Sequence, residues 1–235
     1  MSTPISYRDT KDQGSFVFEP IPYGISEMGI PLTYFPSSDD CRLLVFAGIH
    51  GEEPETTFLL SRALRCLCCL PRHVAIVLCA NPDGMLRGMR GNAHGVDLNR
   101  NFPTPNWSSE PVFTRLTLES PRETRLSPGV APQSEVETRA LLSLISTLNP
   151  RAVVAMHAPI GCVDCATHSP LVQTLESIFG LPWKQGLGYA TPGSFGIWAE
   201  EASLDCVTLE LPRMALESLA ANYAQPFAKF IAEFY

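Results

Sequence analysis

A chain of 235 residues with 45% hydrophobic and 17% charged residues can bury a substantial core, which excludes a disordered polymer. Its net charge of −7, with no Lys/Arg cluster, argues against a nucleic-acid surface. The N-terminus lacks the charged-then-apolar plan of a signal peptide, and the longest apolar candidate, residues 63–80, is broken by Arg65, Pro71, Arg72 and His73. No membrane span is therefore expected, and a cytoplasmic location is the default expectation.

Residues 1–40, rich in Pro, Gly, Ser and Tyr, read as an irregular, partly stranded lead-in. A buried strand is predicted over 43–49, and it delivers His50-Gly51-Glu52-Glu53 at its end. Pro54 suits the first turn of a helix that Pro71 closes. Strand 74–80 follows and ends in Asn81-Pro82-Asp83-Gly84, before a loop-rich segment holding Arg87, Arg90, Asn99 and Arg100. Residues 102–133, proline-rich and without periodic pattern, read as a long functional or mobile loop.

Ser134-x-x-Glu137 has the pattern of a capping box before a helix with the stripe Ala140, Leu141, Leu144, Leu148. Strand 152–156 runs into His157, a helix covers about 170–179, strand 206–211 carries Glu210, and a last helix begins near Met214. Strands alternating with helices predict an α/β fold. It is one three-layer domain over 1–235, with a mixed, mainly parallel sheet and helices on both faces.

The eight cysteines read mostly as buried free thiols. Cys162-x-x-Cys165 has the spacing of a redox pair or half a zinc site, but no second such pair accompanies it. His73, His94 and His168 sit in turns or helix approaches and are not expected to act as ligands.

Four apolar runs thus end in chemically capable residues, and open α/β sheets place their sites outside the carboxyl ends of strands. His50, Glu53 and His157 supply two imidazoles and a carboxylate, a set that suits one catalytic zinc ion with a fourth position for water. On the residues alone, Glu210 reads either as a catalytic acid or as a strand-end acid paired with an arginine.

At this point the residues resemble the zinc carboxypeptidase family. His50-x-x-Glu53, the block Gly95-Val96-Asp97-Leu98-Asn99-Arg100-Asn101-Phe102, the later His157 and Thr208-Leu209-Glu210-Leu211 carry the likeness. Asn81-Pro82-Asp83-Gly84-Met85, Pro159-x-x-Cys162-Val163-Asp164, Thr191-Pro192-Gly193-Ser194-Phe195-Gly196 and Leu209-Glu210-Leu211-Pro212 narrow it further. They resemble bacterial members that cleave the γ-D-glutamyl–diaminopimelate bond of cell-wall peptides. Ala158 departs from the pattern, since an acidic residue is expected directly after the third zinc ligand.

The resemblance implies a zinc carboxypeptidase-like fold and roles for particular residues. His50, Glu53 and His157 would hold one Zn2+, Glu210 would be the general base, and Arg90, rather than Arg87, would face the oxyanion. Asn99 and Arg100 would bind the free carboxylate on the product side, which makes an exopeptidase. Tyr189, among Gly186, Gly188 and Gly193, would lie on a mobile loop over the substrate, with a packed aromatic as the alternative. Asp164 would meet the distal ammonium of diaminopimelate; a solvent-exposed loop acid is its other reading. The implied partner is a murein peptide, and the implied task is cell-wall peptide recycling. Two alternatives stay open: a zinc deacylase of N-acyl amino acids, of the aspartoacylase or succinylglutamate desuccinylase type, and a non-catalytic peptide-binding protein.

Overall fold

The computed structural model describes residues 7–115 and 121–235. The first six residues of the expected lead-in, and residues 116–120 of the expected 102–133 loop, lie outside that set. In chain order the strands are β1 (Ile21–Ile25), β2 (Pro31–Tyr34), β3 (Leu43–Phe46), β4 (Val74–Val77), β5 (Val112–Arg115), β6 (Pro121–Leu126), β7 (Ala152–His157), β8 (Ile160–Asp164), β9 (Trp183–Lys184) and β10 (Asp205–Pro212). The helices are α1 (Pro54–Arg65), α2 (Pro82–Arg87), α3 (Val136–Leu148), α4 (Pro170–Phe179), α5 (Phe195–Glu201) and α6 (Leu216–Glu233).

Six strands form the central sheet in the order β4-β3-β7-β10-β8-β9. β4, β3, β7 and β10 are parallel to their neighbours, whereas β8 runs antiparallel to β10 and is joined in parallel by β9. The sheet is therefore mixed and mainly parallel. Every residue of β3, β4 and β7 is buried, as continuous apolar strands covered on both faces must be.

One face packs Leu43, Val45, Val154, Met156 and Val207 against the apolar sides of α1, α4 and α6. The other packs Leu44, Phe46, Val153 and Ala155 against α3 and α5. From β3 the chain crosses to β4 on one side, while β7 lies on the other. The carboxyl ends of β3 and β7 thus flank a topological switch point, where open α/β sheets carry their crevices. Among the described residues, no helix is long and apolar enough to cross a membrane.

The antiparallel hairpin β1–β2 supplies the strands of the partly stranded lead-in, and three features differ from the sequence expectations. The 102–133 segment, expected as a loop, contains the antiparallel pair β5–β6. β8, β9, α2 and α5 occupy stretches where no element was expected. The capping box does not form: Glu135 is the N-cap of α3, with no side-chain cap. Glu137 instead accepts hydrogen bonds from Asn92 Nδ2 (3.0 Å) and the Glu27 backbone N–H (3.2 Å), so tertiary partners have claimed the carboxylate the cap would use.

Candidate metal centre and active site

The turn between β3 and α1 brings His50 and Glu53 back toward the sheet. Gly48 has φ +64, and a side chain there would press on Thr57 and Cys79. A Cβ on Gly51 would collide with the Gly84 and Met85 backbone, so the turn lies directly against α2. Fully buried Asn81 stitches the parts together. Its Nδ2 donates to the carbonyls of Ile49 (3.1 Å) and Arg90 (3.3 Å), and its Oδ1 accepts from the Gly84 N–H (2.9 Å), capping α2. Glu53 occupies the N-cap of α1 but leaves its carboxylate free to turn into the site.

His157 ends β7, and Glu210 is its direct register partner on β10. His50, Glu53, His157 and Glu210 are all buried. His50 Nδ1 lies 2.8 Å from Glu53 Oε1 and 3.2 Å from His157 Nδ1, and His157 Nδ1 lies 3.3 Å from Glu53 Oε2. Asp97 Oδ1 sits 3.1 Å from His50 Nε2. That contact makes Nε2 an N–H donor, so Nδ1 is the nitrogen His50 offers toward Glu53 and His157.

This geometry fits a zinc ion. Two ligands about 2.1 Å from one tetrahedral centre must lie roughly 3.4 Å apart, close to the separations seen here. Only one proton can sit between the two Nδ1 atoms, whereas a cation satisfies both imidazoles and the carboxylate together. Among the described residues, these three form the one His/Cys/Asp/Glu group whose donor atoms converge in this way, all within 4.8 Å of one another.

Charges around the centre are arranged with it. Arg90 donates from Nε to Asp97 Oδ2 (3.0 Å) and from Nη1 to Glu53 Oε1 (3.1 Å), with Glu52 at 3.6 Å. Burial works against the ionised forms of Glu53 and Asp97. The His50 and His157 contacts hold Glu53 below the ordinary carboxylate range, and Arg90 and His50 do the same for Asp97. Glu210 has no such help: burial, then the charge of Glu53, pushes it up to about 8. Its described contact is the Ile160 N–H, which donates to Oε2 at 3.4 Å.

A cleft of about 810 Å³ opens over the sheet's carboxyl ends. His50, Glu53, Arg90, Asn99, Arg100, His157, Asp164, Tyr189 and Glu210, the nine residues singled out from the sequence, all line it. Arg100 is buried with Nη1 donating to the Asn99 carbonyl (2.6 Å), and Tyr189 stands in its electrostatic neighbourhood. Asn99 accepts from the Phe195 N–H (2.8 Å) at the start of α5. Asp164 ends β8 on the wall beyond Glu210 and accepts from the Gly186 N–H (2.8 Å). Ala158 also lines the cleft, and its N–H donates to Glu53 Oε2 at 3.2 Å.

His73, His94 and His168 lie outside the cleft, against Asp40, Glu135 and Glu176 respectively. Cys162 and Cys165 are free thiols, the first buried and the second half-buried. Asp97 and Asn81 stand in the sequence motifs, but the sequence assigned neither of them a role. Asp97 was visible inside the Gly95–Phe102 block, as a carboxylate within one turn of Asn99 and Arg100. Asp97→Asn is expected to weaken zinc affinity about 10–100-fold, because outer-shell partners orient their histidines. Competition with a chromogenic chelator measures this, and unchanged affinity would remove Asp97 from the metal's support.

The fold, the buried His-Glu-His centre and the cleft above it define a zinc peptidase. Residues 40–159 match the zinc carboxypeptidase family profile, and the chain belongs to that family. Over 227 residues it is 40% identical to murein peptide amidase A of Escherichia coli strain K12, covering 95% of this chain and 94% of the relative. The murein peptide amidase A of Vibrio campbellii is 39% identical over 221 residues, 92% of this chain and 88% of that one. The crystal structure of a murein-tripeptide amidase from Escherichia coli O157 superposes with a TM-score of 0.91 at 38% identity, covering 97% of this chain and 98% of that chain. Carboxypeptidase A of Helicoverpa armigera shares the fold, with a TM-score of 0.69 at 17% identity over 91% of this chain and 68% of its own. The chain is a zinc metallopeptidase, and its cofactor is zinc.

Proposed function

We propose that this enzyme hydrolyses the γ-D-glutamyl–meso-diaminopimelate bond of murein peptides, releasing diaminopimelate in cell-wall peptide recycling. The convergence of the His50–Glu53–His157 centre, Glu210 and Arg100 in one cleft carries the reading. The relatives named above, matched along nearly the whole chain, support the substrate.

His50, Glu53 and His157 are the residues that would hold zinc. A zinc ion in such a site acidifies water and polarises a carbonyl. Glu210, beside His157, would take a proton from the attacking water and hand it to the departing nitrogen as the C–N bond breaks. Arg90, nearly buried and pinned through Nε to Asp97, would offer a fixed positive charge to the developing oxyanion. Arg100 and Asn99 are suited to the free carboxylate of the leaving residue, since a guanidinium meets a carboxylate through two parallel hydrogen bonds. Tyr189, from the glycine-flanked segment beside them, would close over that residue. Asp164 would receive the distal ammonium. We place the enzyme in the cytoplasm, which its eight free cysteines favour as a reducing compartment.

The test is hydrolysis of L-Ala-γ-D-Glu-meso-diaminopimelate by purified protein, followed as amine release, with a chelator and zinc restoration as controls. Zinc-dependent release of free diaminopimelate is expected. Zinc-loaded protein that leaves this peptide intact but cleaves N-acyl amino acids would replace the reading with a deacylase.

A further inference from the structure

We propose that Asp164 and Lys184 together read the distal amino-acid centre of the leaving diaminopimelate, Asp164 taking its ammonium and Lys184 its carboxylate. This inference rests on the substrate reading above.

Strand register sets the distances. β8 and β10 pair with Thr208 opposite Asp164 and Glu210 opposite Cys162. Asp164 therefore lies two residues along the ladder from Glu210, roughly 7 Å at about 3.4 Å per residue. Directly opposed residues share a face of the sheet, so Asp164 and Glu210 look into the same cleft, and both line it. That interval is comparable to the reach of a lysine side chain, the distance at which diaminopimelate carries its distal nitrogen from its first centre.

β9 extends the pattern by one strand. Asp164 is paired with Lys184 and Val163 with Trp183. Val163 and Trp183 turn to the opposite face, where they pack into the cluster beneath α4 and α6. By register Lys184 shares the face of the sheet that Asp164 occupies, about 4.8 Å away across the ladder; it stands behind the cleft wall, which the next two residues, Gln185 and Gly186, line. Both residues are half-buried, and among the described residues neither is engaged in an ion pair, with the other or with a third group. Asp164 is fixed by the Gly186 N–H. Burial works against its charge, and that N–H and Lys184 favour it.

An unpaired carboxylate and an unpaired ammonium on adjoining strands match a ligand carrying both charges on one carbon. Diaminopimelate carries them so. Lysine is the same residue without the distal carboxylate, which makes the lysine peptide the discriminating probe.

The experiment compares kcat/KM for L-Ala-γ-D-Glu-meso-diaminopimelate and L-Ala-γ-D-Glu-L-Lys, with inhibition by free meso-diaminopimelate and by L-lysine as a second readout. In the zinc-loaded Lys184→Met variant, kcat/KM for the diaminopimelate peptide should fall about 10–100-fold, with a matching loss of inhibition by free diaminopimelate. The lysine readouts should stay within about threefold of the parent, and Lys184→Arg should retain the preference. Asp164→Asn should weaken both ligands by at least about tenfold. A Lys184→Met variant that loses both ligands equally, or neither, overturns the assignment of Lys184. A parent enzyme that does not cleave the diaminopimelate peptide overturns the substrate reading itself, so the two failures are distinguishable.

Discussion

Replacing Glu210 by glutamine is expected to lower kcat by at least about 10³-fold, with KM and zinc content close to the parent's. The substitution keeps the shape of the side chain and an oxygen that can still accept from the Ile160 N–H. It removes the capacity to accept a proton. Because Glu210 is buried within a ladder between His157 and Cys162, no other carboxylate on β10 can take its place. Glu53, the neighbouring acid, belongs to the metal centre. Steady-state kinetics on the diaminopimelate peptide, beside metal analysis, makes the measurement. Near-parental kcat in a Glu210→Gln protein holding one zinc would mean that a different group moves the proton.

How much of this arrangement could be read in advance follows from the physics of each segment. β3, β4, β7 and most of β10 were legible because strands buried on both faces must be continuous apolar runs, and His50, Asn81, His157 and Glu210 mark their ends. The His50–Glu53–His157 cluster, suited to one metal ion, was legible for the same reason, since a parallel sheet gathers those ends at one edge. β9 was not legible, because a two-residue strand exists only through its pairing with β8. Lys184 therefore carried no signal of its own: in sequence it is a cation after a tryptophan, and only the register sets it beside Asp164. Asp97 lay inside a block that was read for Asn99 and Arg100, yet its part depends on the Nε2 of a histidine 47 residues earlier. The expected capping box misled because local pattern competes with tertiary demand. Glu137 is drawn to Asn92, in the segment leading into Asp97, and to the Glu27 N–H between β1 and β2.

Stripping zinc with a chelator is expected to abolish activity and to destabilise the protein more at pH 8 than at pH 5. The sign comes from Glu210. Its folded value, about 8, lies above the ordinary carboxyl value of 4.5, so the metal-free folded state binds more protons than the unfolded state between them. Stability is therefore fully present below about 4.5 and is lost as pH rises toward 8. The loss is on the order of 2–4 kcal/mol, or about 5–10 °C in Tm for a chain of this size. Glu53, whose carboxyl is lowered, acts in the opposite sense and only below its ordinary value, outside this window. Zinc held by His50, Glu53 and His157 would offset the repulsion with its two positive charges, and histidine ligands bind a metal better as they deprotonate. Both effects make the zinc-induced gain in Tm grow with pH. Glu210→Gln separates them. The chelated variant should match the chelated parent near pH 5 and exceed it by about 5–10 °C at pH 8. Parallel Tm profiles for the two chelated proteins would show that Glu210 is ionised in the metal-free fold, with its charge compensated by a contact other than the Ile160 N–H.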